Sequence, residues 1–176
     1  MLFGLFALSL ASFAAAQYNQ DVEKLVIHNT GNDDLALYFL GRLNDGDMSS
    51  LRDGYETFVG LMAPGASLGR FITFNDTFSL RSGDLKWRLR LTVYAHNLED
   101  YPYKLSFHNI MVGEGADPVE LKHHEEGFIW IEPNDEVTHS AKPGHPFVVL
   151  DVKKTPRFTA EVFAVRSDEL FSENPL

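Results

Sequence analysis

Two histidines six residues apart, His139 and His145, bracket a Pro-Gly turn in the stretch THSAKPGHPFVVL, and Ser140 sits beside the first of them. Imidazole and hydroxyl groups each donate or accept hydrogen bonds. The set therefore suits binding of a ligand hydroxyl, metal ligation, or a catalytic base with its helper, unless the stretch is only a turn between two strands whose histidines are satisfied by backbone carbonyls. Just upstream, His123, His124, Glu125 and Glu126 supply ligand types that suit iron, manganese or zinc. Neighbouring side chains on a strand point to opposite faces, so a metal centre needs His123 or His124, Glu126, and His139 or His145 to converge. If KHHEE is a loop instead, its charges are solvated surface.

Other chemistries are excluded by what the sequence omits. There is no cysteine, hence no disulfide scaffold, thiol nucleophile or cysteine-ligated metal. No nucleophile elbow, phosphate loop or zinc-protease helix occurs, and the glycines lie in turns rather than between a strand and a helix. The paired carboxylates Asp33-Asp34 and Glu125-Glu126 diverge if they lie on strands and are solvated if they lie in loops. A formal net charge of −10 argues against a nucleic-acid partner, which needs a basic stripe. The basic clusters Lys86/Arg88/Arg90 and Lys153/Lys154/Arg157 alternate with apolar residues and fit the wet faces of strands.

The first sixteen residues, MLFGLFALSLASFAAA, are apolar and end on small residues before Gln17. That is the pattern of a secretory signal peptide, expected to form a helix before removal. The segment lacks the usual basic n-region, so a retained anchor is the alternative, although the run is short for a membrane span. The expected product is secreted, extracellular and free of the membrane once the leader is removed. Asn75-Asp76-Thr77 is an N-glycosylation sequon, which makes Asn75 the candidate glycan site.

At 176 residues with 44% hydrophobic content the chain can bury a substantial core. Short runs rich in β-branched and aromatic residues, such as KLVIH, LALYF, WRLRLTVYA, YKLSFH, GFIWI, FVVLDV and FTAEVFAV, alternate with Gly, Asn, Asp and Pro clusters. This pattern predicts an all-β sandwich. The runs also repeat. KLVIHN at 24–29 returns as KLSFHN at 104–109, an offset of 80; Pro64, Phe78, Arg88 and Val93-Tyr94-Ala95 return as Pro133, Phe147, Arg157 and Val162-Phe163-Ala164, an offset of 69. The difference predicts eleven extra residues in the first copy, within the polar loop GRLNDGDMSSLRDGYET. The expected organisation is a leader at 1–16, one β-sandwich copy at 21–96, a second at 97–166 packed against it, and a tail at 167–176.

The order KLVIHNTGNDDLALYFL, a Gly-containing loop and LMAPGASLGRFITFNDTF, with HS and GHPF in the second copy, resembles the β domain of the von Hippel-Lindau tumour-suppressor family. The resemblance spans most of residues 24–164 in two passes. It implies a small sandwich that recognises hydroxyproline-containing peptides. By position, His139 and Ser140 match the family's His-Ser pair, His145 its second histidine, Phe147 an aromatic wall and Phe128 the pocket tyrosine. This sequence departs in having Phe without a hydroxyl at 128, one extra residue in HSAKPGH, and Arg70-Phe71 and Asp76 at the equivalent places of the first copy. Nothing after Arg166 resembles the family's helical domain, so no ubiquitin-ligase role is implied.

The expectation is thus a secreted, non-enzymatic binding module without a cofactor, whose protein or peptide ligand carries hydroxylated prolines. In this reading the second copy binds through Phe128, His139, Ser140, His145 and Phe147. A metal-dependent enzyme with loose likeness to the cupins is the alternative, and a purely structural secreted protein a third.

Overall fold

A computed structural model describes residues 22–42, 56–83, 87–98, 101–111, 113, 115–123 and 127–165. The leader, most of the polar loop at 41–57, the run His124 to Glu126 and the tail lie outside the described residues. Twelve strands follow one another: β1 (Val22–Asn29), β2 (Leu35–Arg42), β3 (Thr57–Met62), β4 (Ser67–Ile72), β5 (Asp76–Ser82), β6 (Arg88–Leu98), β7 (Tyr101–Asn109), β8 (Val119–His123), β9 (Gly127–Ile131), β10 (Glu136–Ala141), β11 (Phe147–Leu150) and β12 (Pro156–Val165). Among the described residues there is no helix.

The strands form two six-stranded antiparallel sheets. Sheet A runs β4-β1-β12-β11-β8-β9, and sheet B runs β10-β7-β6-β5-β2-β3. Advancing each strand of the first half by six, and returning each of the second half by six, converts one order into the other. The protein is therefore internally two-fold in topology, yet the hydrogen bonding does not divide at residue 96. β1 and β4 of the first half sit in sheet A with four strands of the second half, and β7 and β10 make the reciprocal exchange. Neither half closes a pair of sheets by itself.

The register carries the offsets read from the sequence. Lys24 stands opposite Phe163, and Lys104 opposite Tyr94, so the offset of 80 in the first strand faces the offset of 69 in the last. The second strands add a correction. Leu37 faces Leu80 and Gly60, whereas Leu121 faces Val149 and Ile129. Leu37 and Leu121 are 84 apart, while their partners keep 69. The net eleven is thus fifteen extra residues between β2 and β3 of the first half, less four extra between β7 and β8 of the second.

Alternation explains the core. On β7, Tyr103, Leu105 and Phe107 point inward, and on β12 Phe158, Ala160 and Val162 do the same; all are buried. Each fully buried aromatic or aliphatic side chain contributes about 1.5–3 kcal/mol, so a protein without disulfides is held by this layer. The outer face of sheet B is also shielded. Thr77, Ser79, Thr92 and Ser106 are buried there, with Thr77 Oγ1 and Thr92 Oγ1 3.0 Å apart and Arg88 Nε donating to Ser79 Oγ at 3.2 Å.

Candidate binding surfaces

The residues singled out in the sequence separate by face. Phe147 is fully buried on the inner side of sheet A, 5.3 Å from the Phe107 ring and stacked on His123 at 4.3 Å. His139 approaches the same ring from sheet B, with centroids 6.3 Å apart. Val137, His139 and Ala141 share the inner face of β10, so Ser140 lies on its outer face, opposite Lys104. His145 is half-buried in the turn after Gly144, whose backbone holds φ at +71° and whose N–H donates to the Val162 carbonyl at 2.8 Å. A Cβ at Gly144 would come within 3.2 Å of the Phe163 ring, tighter than an ordinary contact, which together with the positive φ favours glycine at this turn. Phe128 is on the outer face of sheet A, where it pairs with Lys122. The fold thus brings His139 and Phe147 together across the interior, and directs Ser140 and Phe128 to other surfaces.

The first-half counterparts do different work. Arg70 lies 5.0 Å over the Phe39 ring, Phe71 is exposed beneath Lys24, and the buried Asp76 accepts from the Thr73 N–H at 2.9 Å. Asn75 occupies the turn before β5, half-buried with φ at +71°, and its N–H donates to the Val93 carbonyl at 2.7 Å. Of the metal-like cluster, His123 is buried against Phe147. Among the described residues no three His, Asp or Glu side chains gather as a metal site, and His124, Glu125 and Glu126 fall outside them.

Two surfaces emerge, of whose residues sequence reasoning had singled out only Phe128 as part of a site. The first is the outer face of β9, the edge of sheet A. Phe128 and Trp130, two residues apart and hence on one face, are 55% and 43% exposed. Lys154 lies 5.3 Å from the Phe128 centroid and 4.4 Å from that of Trp130, and Lys122 lies 5.3 Å over Phe128. These are cation–π distances. Lys154 also pairs with Glu120, whose side chain is only 1% exposed. Lys154 is thus no idle solvated cation: it bridges a buried carboxylate and two aromatic rings.

The second surface is a cavity of about 220 Å³ lined by Trp87, Asp117, Val119, Asp151, Lys153 and Arg157. Trp87 is stacked on Phe158 at 5.7 Å. Arg157 pairs with Asp151 at 2.5 Å and with Asp33 at 3.4 Å. Burial pushes the Asp151 carboxyl up, but the Thr155 N–H, the Arg157 guanidinium and the Lys153 N–H more than offset this, and its pKa is lowered. It therefore stays ionised well into acid. The sequence placed Lys153, Lys154 and Arg157 on a wet strand face, because a solvated cation and one committed to a turn look alike in a string of residues. That Trp87 and Trp130 are the only tryptophans was the available signal, since large aromatic side chains dominate core and interface energetics.

No protein-family model matches the chain, and no curated protein matches it.

Proposed function

We propose that this is an exported, non-enzymatic binding module whose ligand is an extended protein or peptide segment lying along β9. One observation carries the proposal: the edge strand of sheet A presents Phe128 and Trp130 on one exposed face with Lys122 and Lys154 over the rings. An edge strand leaves half its backbone N–H and C=O groups without a strand partner, and an added strand satisfies them while alternate side chains seat on the neighbouring face. Aromatic rings are efficient anchors because they bury much area at little entropic cost. Ligand prolines would lie flat on these rings. In this reading the two halves are divergent copies of a von Hippel-Lindau-like β unit, the leader directs export, and Asn75 carries a glycan when the host is a eukaryote.

The test is binding of matched labelled peptides containing proline or 4-hydroxyproline within extended acidic-to-neutral sequences, followed by fluorescence anisotropy. Binding lost in Phe128→Ala and Trp130→Ala supports the β9 surface; binding unchanged in both, or no binding to any such peptide, removes it. A preference for the hydroxylated peptide that disappears in Ser140→Ala and His145→Ala would transfer selection to the β10–β11 turn.

A further inference from the structure

β3 is the counterpart of β9: it ends sheet B as β9 ends sheet A, and among the described residues no strand lies beyond either. Phe58 faces Tyr38 as Phe128 faces Lys122, and Leu61 faces Ala36 as Trp130 faces Glu120. Phe58 and Leu61 are three residues apart, so on an unbroken strand they would point to opposite sides. The register shifts between Leu37 and Tyr38 and leaves Val59 as an extra residue, and this bulge turns both side chains to the outer face. They are 58% and 59% exposed. The repeat offset of 69 assigns Val59 to the place of Phe128; the bulge restores an aromatic ring there.

Charged groups complete the likeness. Arg81 lies 4.3 Å over the Tyr38 ring, which meets Phe58 edge-on at 5.5 Å, and Arg81 and Arg88 both pair with Glu56. At β9, Lys154 stands over both rings and pairs with Glu120. Each edge thus offers exposed apolar side chains, a cation held against a ring, and a carboxylate that fixes the cation. Tight turns, closed by the Ala66 N–H on the Ala63 carbonyl and the Asp135 N–H on the Glu132 carbonyl, both at 2.9 Å, join β3 to β4 and β9 to β10. The sheets therefore meet with β3 beside β4 at one edge and β9 beside β10 at the other, and the two patches lie on opposite faces at opposite edges.

We infer that β3 is a second docking edge for an extended acidic-to-neutral segment of the kind proposed for β9, which makes the protein bivalent; the inference rests on that reading. Size and charge favour an added strand over a globular partner. Two side chains such as Phe58 and Leu61 bury at most about 500 Å², against roughly 800 Å² per partner in a stable protein interface. A strand makes up the difference through backbone pairing. A second copy is disfavoured further because two chains of net charge −10 repel each other, whereas a short segment meets the local cations without bringing a whole acidic molecule. Because the patches face apart, a tandem of two such segments links molecules instead of closing on one.

The experiment titrates the full-length protein with the proline and 4-hydroxyproline peptides and reads the stoichiometry by isothermal calorimetry. Two peptides per chain are expected, falling to one in Phe58→Ser/Leu61→Ser, to one in Phe128→Ala/Trp130→Ala, and to none when the four changes are combined. A tandem of two such peptides on a flexible linker should raise light scattering with the wild type and leave it unchanged with either double variant. One peptide per chain, lost only through Phe128 and Trp130, overturns the inference and leaves the β9 reading standing; no binding at all overturns both. One peptide lost only through Phe58 and Leu61 overturns bivalence and the β9 reading together. A chain that is dimeric without peptide and monomeric in Phe58→Ser/Leu61→Ser assigns β3 to a second copy and likewise overturns the inference. Should that double variant fail to fold, Leu61→Asp decides, since a carboxylate there repels an acidic segment while the β9 site remains.

Discussion

Asn29 and Asn109 are structural counterparts, each a fully buried amide that ties two loops with the same three hydrogen bonds. Asn29 Nδ2 donates to the Asp33 and Met62 carbonyls, both at 2.8 Å, and its Oδ1 accepts from the Gly31 N–H at 3.0 Å. Asn109 Nδ2 donates to the Asp117 and Ile131 carbonyls at 3.0 and 3.1 Å, and its Oδ1 accepts from the Met111 N–H at 3.3 Å. Each clamps the loop before the second strand of its half to the end of the third. Asn→Ala at either position leaves buried backbone groups unpaired and is expected to cost about 1–3 kcal/mol. Asp should be worse than Ala at pH 7, because a carboxylate cannot donate to the two carbonyls it would face. Urea unfolding of the four single variants checks the order.

Phe147 and Ser140 separate packing from recognition. Phe147 is fully buried with Phe107, His123 and His139 around it, so Phe147→Ala should cost about 3–5 kcal/mol. Ser140 lies on the outer face of β10, and Ser140→Ala should change stability by less than about 0.5 kcal/mol. Thermal and urea melts of the two variants give the comparison. A mild Phe147→Ala would show that the ring lines an adaptable pocket instead of the core.

The strands and the repeat could be read from the sequence because both depend on local alternation and spacing. KLVIHN and KLSFHN announce β1 and β7 whatever they pair with. What could not be read was the pairing: an offset of 80 against 69 is equally compatible with two separate sandwiches and with exchanged strands, since hydrogen-bond partners are set by long-range closure. The site residues suffered similarly. Their order along the chain put His139 and Ser140 side by side, but period-two geometry turned one inward and the other outward. Trp87 and Asp117 are thirty positions apart, and only the fold brings both to the wall of one cavity.

The exchange of strands has a consequence for fragments. A fragment of residues 17–99 keeps β1 and β4 but lacks β12, against which β1 makes eight register pairs from Val22 to Asn29. Its own β6 is the counterpart of β12 in register. The fragment is therefore expected to be unfolded as a monomer and to gain structure either as a homodimer with reciprocally exchanged β1 strands, or as a 1:1 complex with residues 100–166. Light scattering and circular dichroism of the separate and mixed fragments test this. A folded monomeric fragment would mean that each half can close its own sheets.

His108 gives the stability a defined pH dependence. It stands between Arg90 and Glu136 across the outer face of sheet B. Burial lowers its pKa, Glu136 opposes this, Arg90 adds to the lowering and the hydrogen bonds with Asn134 oppose it; the result is below the ordinary value of 6.5. As pH falls through 6.5 the unfolded chain takes up the proton first, so the folded state loses stability until the pH reaches the depressed folded value, below which the contribution is flat. Above 6.5 both states are neutral at this site and it contributes nothing. Urea midpoints at a series of pH values between 7.5 and 5.5 should therefore decline with acidification, and His108→Gln, which cannot titrate, should flatten the slope. An identical slope in the variant would assign the dependence to another group. Asp151 titrates much lower: its carboxylate, held down by the Thr155 and Lys153 N–H groups and Arg157, adds stability above its unfolded value near 3.8 and loses it as the pH falls through the lower folded value. The two contributions therefore appear as separate declines on the acid limb, and only the upper one should respond to His108→Gln.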